Sequence, residues 1–99
     1  MKLNQVREYS SQLYKIAQKY DIEKINVFGS TARGNAGSNS DVDFLLEMKQ
    51  GGSLMGIAGF AYEAERLLGV RVDVVPASVL PKVKDRAFAE NIIKDAVAL

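Results

Sequence analysis

The 99-residue sequence predicts one α/β domain of the α+β kind, a small mixed β-sheet with helices packed mainly on one face. Three observations lead there. The first twenty residues repeat their apolar positions at helical spacing, and two later stretches alternate apolar and polar residues as strands do. Between those two stretches lies a run of helical period. The order is then helix, strand, loop, strand, helix, strand, helix.

Taken in order, Leu3, Val6, Leu13, Ile16, Ala17 and Tyr20 stand three or four residues apart, or at sums of these, and mark one amphipathic helix. KINVFG is a short β-favouring run stopped by Gly29 and reads as a buried strand. STARGNAGSNS is rich in Gly, Ser and Asn, so it is largely loop, with room for one helical turn at its start. DVDFLLEM sets Val42, Phe44, Leu46 and Met48 on one face and Asp41, Asp43 and Glu47 on the other. KQGGS turns the chain. Leu54, Ile57, Ala58, Ala61, Glu65 and Leu68 then share one side of a second helix, with Ser53 as N-cap and Gly69 as its stop. Gly56 and Gly59 weaken that helix and suggest a close approach to the sheet. VRVDVV places Val70, Val72 and Val74 opposite Arg71 and Asp73. In PKVKDRAFAENIIKDAVAL, Pro81 suits the first turn of a last helix, and Ala96 to Leu99 suit either its end or a short strand.

Composition limits the chemistry more than it suggests it. Apolar residues make up 47% and charged residues 25%, as in an ordinary globular domain. No stretch approaches the roughly 20 apolar residues of a membrane span, and polar residues interrupt the first dozen, so a cytoplasmic location is expected. There is no Cys and no His. Disulfides, thiol nucleophiles, zinc-thiolate sites and Ser-His-Asp chemistry are thereby excluded. A metal site must be built of oxygen, which favours magnesium, manganese or calcium. The net charge of +1 is far from the basic footprint of a stable nucleic-acid binder.

Asp41 and Asp43 are two residues apart on a strand, so their side chains leave the same face with α-carbons roughly 6.5–7 Å apart. Carboxylates so placed can converge on one cation or bridge two, and without a counter-ion they repel. Most D-x-D pairs are solvated acids at a strand entrance, here after a turn-forming Ser40. The balance shifts because a Gly-Ser loop and a third acid accompany the pair. That acid is Asp73, among valines, where burial and β-propensity disfavour it unless Arg71 or a shared metal compensates. Gly29 and Ser30 stand where a strand ends and a helical turn begins. There the backbone can approach a ligand closely, free amides attract phosphate, and Arg33 adds charge before Gly34 closes the turn. The absence of G-x-x-x-x-G-K-[ST] excludes a Walker-type loop.

Together these residues resemble the minimal nucleotidyltransferases of the DNA-polymerase-β-like superfamily. The pattern is G-S, ten residues, D-x-D, seen in GSTARGNAGSNSDVD, with a later Asp in RVDVV. Arg33-Gly34, Ser40-Asp41 and the LPKVKDRAFAENIIKDAVAL end fit as well, and Thr31 departs from the basic residue of many relatives. The resemblance implies the nucleotidyltransferase fold and two-metal nucleotidyl transfer. Asp41, Asp43 and Asp73 would ligate two magnesium ions and carry catalysis, Asp73 also helping to deprotonate the attacking hydroxyl. Gly29 and Ser30 would hold the β- and γ-phosphates of ATP, with Arg33 beside them. Members of this size are similar to antitoxins paired with HEPN-type toxins encoded nearby, which implies AMP transfer from ATP to a toxin tyrosine. Two other readings remain: an antitoxin that neutralises by binding alone, and nucleotidyl transfer to a small molecule such as an aminoglycoside.

Overall fold

The computed structural model describes residues 1–37 and 41–99, so Ser40, read above as a turn-former, lies outside the described residues. Four strands form one mixed sheet: β1 (Ile22–Phe28), β2 (Val42–Met48), β3 (Val72–Pro76) and β4 (Val97–Ala98). Their spatial order is β3-β2-β1-β4. β1 runs antiparallel to β2 and to β4, whereas β3 lies parallel to β2. The parallel pair is joined by the helical crossover such a connection requires. The terminal segment is thus a strand, one of the two forms the sequence allowed.

Side-chain alternation divides the sheet into two unlike faces. On one, Ile25, Val27, Val42, Phe44, Leu46 and Val72 pack against Val6, Leu13 and Ala17 of the N-terminal helices and Ile57, Phe60, Ala64 and Leu68 of the crossover helix α4 (Leu54–Leu68). The rings of Phe44 and Phe60 meet edge to face, centroids 5.7 Å apart at 83°, a favoured aromatic geometry. The opposite face carries a smaller cluster of Leu45, Leu80, Ala89 and Ile92, where the last helix packs. Helix cover is therefore concentrated on the first face, as expected, and the second is only partly roofed.

Four local expectations are corrected. The N-terminal helix is two, α1 (Leu3–Glu8) and α2 (Ser10–Lys19), because Tyr9 leaves helical geometry at φ −97°, ψ 7°. Helix α4 (Leu54–Leu68) has the expected Ser53 N-cap position and ends at Gly69, whose φ is +72°. Its buried side, however, is Gly56, Ile57, Phe60, Ala64 and Leu68, while Leu54 is 71% exposed and Ala58 is exposed too. The helix is turned so that its largest apolar residue, Phe60, reaches the core. Gly56 and Gly59 do mark a close approach, but to Tyr20 at the end of α2 rather than to the sheet. A methyl on Gly56 would stand 2.8 Å from the Tyr20 carbonyl oxygen, and one on Gly59 would collide with its ring. Lastly, Pro81 lies inside a short 3-10 helix (Ala77–Lys82), and α5 begins only at Arg86. Asp85 caps α5 by accepting a hydrogen bond from the Phe88 amide at 3.1 Å, an arrangement that outweighs the preference of Pro for a first turn.

Candidate active site

The short helix α3 (Gly29–Arg33) begins where β1 ends, and β2 begins just past Asp41. This puts Gly29, Ser30, Asp41 and Asp43 around one end of the sheet. Gly29 is the first residue past Phe28, whose register partner across the β1–β2 ladder is Asp43. The Gly29 backbone has φ +74°, a region that costs an L-residue energy. A side chain there would also run into the Asp43 carboxylate. Glycine is required twice over, once by torsion and once by the acid beside it. Gly34 closes α3 in the left-handed region at φ +82°, its amide bonding back into the turn, as the sequence indicated.

Asp43 and Asp73 are register partners on the parallel strands β2 and β3, so the two acids stand side by side across the ladder. Asp41 precedes Asp43 by two residues, with the buried Val42 between them. Asp43 is half-buried, and its carboxyl is held above the ordinary aspartate range. Partial burial is the first cause, followed by the charges of Asp73 and then Asp41, with Arg33 acting the other way. Asp43 therefore feels both of the other acids, which stand on the sheet face that their spacing suggested. Like charges repel, and among the described residues no three acidic side chains stand ready to hold a metal ion.

The basic residues are arranged differently from the sequence reading. Arg71 was a candidate partner for Asp73, but its ion pair is with Asp41, at 4.0 Å with the arginine 81% exposed. At that distance and exposure the pair contributes little. Asp73 is exposed and has no hydrogen bond or ion pair among the described residues, so the burial penalty argued for it does not arise. It lies on the outermost strand, where an acid is solvated. Arg33 does not stand free beside the turn. Its guanidinium pairs with Asp95 at the end of α5 at 2.6 Å. Asp95 escaped the sequence reading, although an acid in the last turn of a helix, next to the negative end of its dipole, is a signal worth following. Asn26, buried on the same sheet face, was also missed; its amide donates to the Leu45 carbonyl and to Glu47.

The arrangement joins a glycine-led turn to acidic side chains at one sheet end. The profile of the nucleotidyltransferase domain family matches residues 3–99. A Methanocaldococcus jannaschii protein, provisionally named a protein adenylyltransferase, is 34% identical over 88% of this chain and 95% of its own length. The protein adenylyltransferase MntA of Thermococcus cleftensis is 32% identical over 84% of this chain and 80% of its own. A solved structure provisionally described as a minimal nucleotidyltransferase superposes with a TM-score of 0.79 at 31% identity, covering 100% of this chain and 97% of that one. The same fold recurs in a toxin-antitoxin structure with AMP-PNP, at TM-score 0.68 and 17% identity over 89% of this chain and 69% of that one. With the whole sheet, the glycine turn and all three acids inside the matched span, the chain belongs to the nucleotidyltransferase domain family and is a transferase enzyme.

Proposed function

We propose that the chain is a metal-dependent protein adenylyltransferase that moves AMP from ATP to a tyrosine hydroxyl of a HEPN-type toxin encoded nearby. It would thereby act as the antitoxin of that pair in the cytoplasm. One observation carries the reading: Asp43 and Asp73 share a register position, with Asp41 two residues away and Gly29 packed against Asp43. The names of the relatives in M. jannaschii and T. cleftensis support the reaction class.

The donor chemistry of these residues suits magnesium, although the three carboxylates would have to draw together around it. Every donor is a carboxylate oxygen, the choice of a hard cation, and the upward shift of Asp43, set first by partial burial and then by the acids beside it, is one that a cation would offset. Asp41, Asp43 and Asp73 would hold two ions. When bound, magnesium supplies neutralisation of phosphate charge and acidifies the attacking hydroxyl.

The remaining work falls to the chain itself. The amides and hydroxyl at Gly29 and Ser30 hold the β- and γ-phosphates, close to the backbone because residue 29 has no side chain. That fixes the α-phosphorus over the acids. The tyrosine oxygen attacks the α-phosphorus, the bond to the bridging oxygen of the β-phosphate breaks, and pyrophosphate leaves. Asp73, exposed and without a hydrogen bond or ion pair among the described residues, would help to take up the tyrosine proton.

The direct test incubates the chain with magnesium, labelled ATP and the neighbouring toxin, followed by intact-mass and peptide analysis. The expected result is a mass gain of one AMP on a toxin tyrosine, lost in the Asp41→Asn variant. Tight toxin binding with no mass gain under any nucleotide would replace catalysis by neutralisation through contact alone.

A further inference from the structure

The ion pair between Arg33 and Asp95 links two elements far apart in sequence, α3 and the end of α5. Arg33 occupies the last turn of the five-residue helix that Gly29 opens. Asp95 is the last residue of α5, and only 18% of its side chain is exposed. Immediately beyond it the chain enters β4, which pairs with β1 at Asn26 and Val27. Asp95 is thus fixed from two sides, by its helix and by the sheet edge that follows.

An acid at that position works against its own helix, because the carbonyl end of α5 already presents partial negative charge. The arginine opposite offsets this, and the contact is short and charge-assisted at 2.6 Å through Nη1. Among the described residues Arg33 makes no other hydrogen bond. A guanidinium carries five donors in a rigid planar fork, so engaging one end leaves the rest aimed in a fixed direction. Arg33 lies one turn past Gly29 on the same short helix, and Gly29 packs against the Asp43 carboxylate.

We infer that Asp95 is a positioning residue, which sets the guanidinium of Arg33 toward the triphosphate of the nucleotide before it arrives. This rests on the reading that Gly29 and Ser30 bind nucleotide phosphates, and it adds a residue from the far end of the chain to that task. Arg33 free in solution would sample many rotamers and lose that freedom on binding; tethered to Asp95, it has lost most of it already.

The test is calorimetric titration of magnesium with α,β-methylene-ATP, whose α–β bridge is not cleaved, into the intact chain and variants. Asp95→Asn is expected to weaken affinity about fivefold, and Asp95→Glu to restore it to within about twofold. Arg33→Ala combined with Asp95→Asn should bind no more weakly than Arg33→Ala alone, since the two act as one unit. In the transfer assay the same Asp95→Asn change should raise KM for ATP and leave kcat within about twofold. Unchanged affinity in Asp95→Asn, or losses that simply add in the double variant, would overturn the role. Tighter binding would overturn it too, by showing that Asp95 competes with phosphate for the arginine. The titration needs no protein acceptor, so its outcome stands whether or not AMP reaches a toxin tyrosine. A chain that binds no magnesium-nucleotide at all would sink this inference and the catalytic reading together.

Discussion

The two faces of the sheet are built on opposite terms. The face under α2 and α4 is dry, with Phe44, Phe60, Leu13, Ile25 and Leu46 fully buried, and its rim is tied by complementary charge. There Lys19 pairs with Glu63 at 2.6 Å, and the Tyr20 hydroxyl donates to the same carboxylate. Glu63 is accordingly held below the ordinary glutamate range, first by the hydrogen bond from Lys19 and then by that from Tyr20. The other face brings acids together and holds Asp43 above its ordinary range. One side of a single layer stabilises the fold, and the other holds like charges in place at some cost to it. The two carboxylates shift in opposite directions: Asp43 is raised first by partial burial and then by acidic neighbours, whereas Glu63 is lowered by hydrogen bonds from Lys19 and Tyr20.

Phe60→Ala attacks the stabilising face directly. It should cost about 3–5 kcal/mol in a denaturant titration, because the edge-on contact with Phe44 is lost and a cavity remains. For a domain whose total stability is of the order of 5–15 kcal/mol, that brings the chain close to unfolding.

Asp43→Asn should separate stability from activity. AMP transfer is expected to fall roughly 10²–10³-fold, a loss typical of removing one essential charge-stabilising group. The melting temperature of the nucleotide-free protein should instead rise by a few degrees at neutral pH. A carboxyl whose folded value is raised is a penalty once ionised. The wild-type chain loses stability as pH climbs from the ordinary aspartate value, about 4, through the raised one. The gain from Asn should therefore be full above that window and absent below it, as scanning calorimetry from acid to neutral pH will register. A gain that persists in strong acid would contradict an electrostatic origin.

Glu63→Gln is the mirror case and the smallest. Its side chain lies at the rim, 27% exposed and within reach of solvent screening, so a drop of about 1–2 °C is expected. Since the folded value is depressed, the stabilising contribution is present at neutral pH and disappears as pH falls through that value. The two variants should thus converge on the parent in acid from opposite sides. Parallel curves would show that the contrast between the faces is not one of charge.

Much of this layout was legible in the residues. The alternation in DVDFLLEM and VRVDVV put the acids and the valines on their observed sides, Gly69 ended α4, and the Gly-Ser turn fell at the end of a strand. What stayed hidden depends on distant partners. Nothing near Tyr20 in sequence announces Glu63, which lies 43 positions away, and Arg33 and Asp95 are 62 apart. The buried side of α4 was misjudged because a helix with many small residues has two plausible apolar stripes. Only the docking of Phe60 against Phe44 decides between them. Asp73 looked buried among valines, yet it sits on the outermost strand, a fact of strand order that periodicity does not carry.

The parallel pairing of β2 with β3 also ties fidelity of folding to chemistry. Because neighbouring positions of a strand face opposite ways, a slip of β3 by one place would bring Val72 or Val74 opposite Asp43 and drive Asp73 toward Phe60. No such misaligned chain could be stable, since it would bury a charge and strand valines in water. Oil-like residues of the opposite face therefore proofread the alignment of the acids proposed to serve the nucleotide.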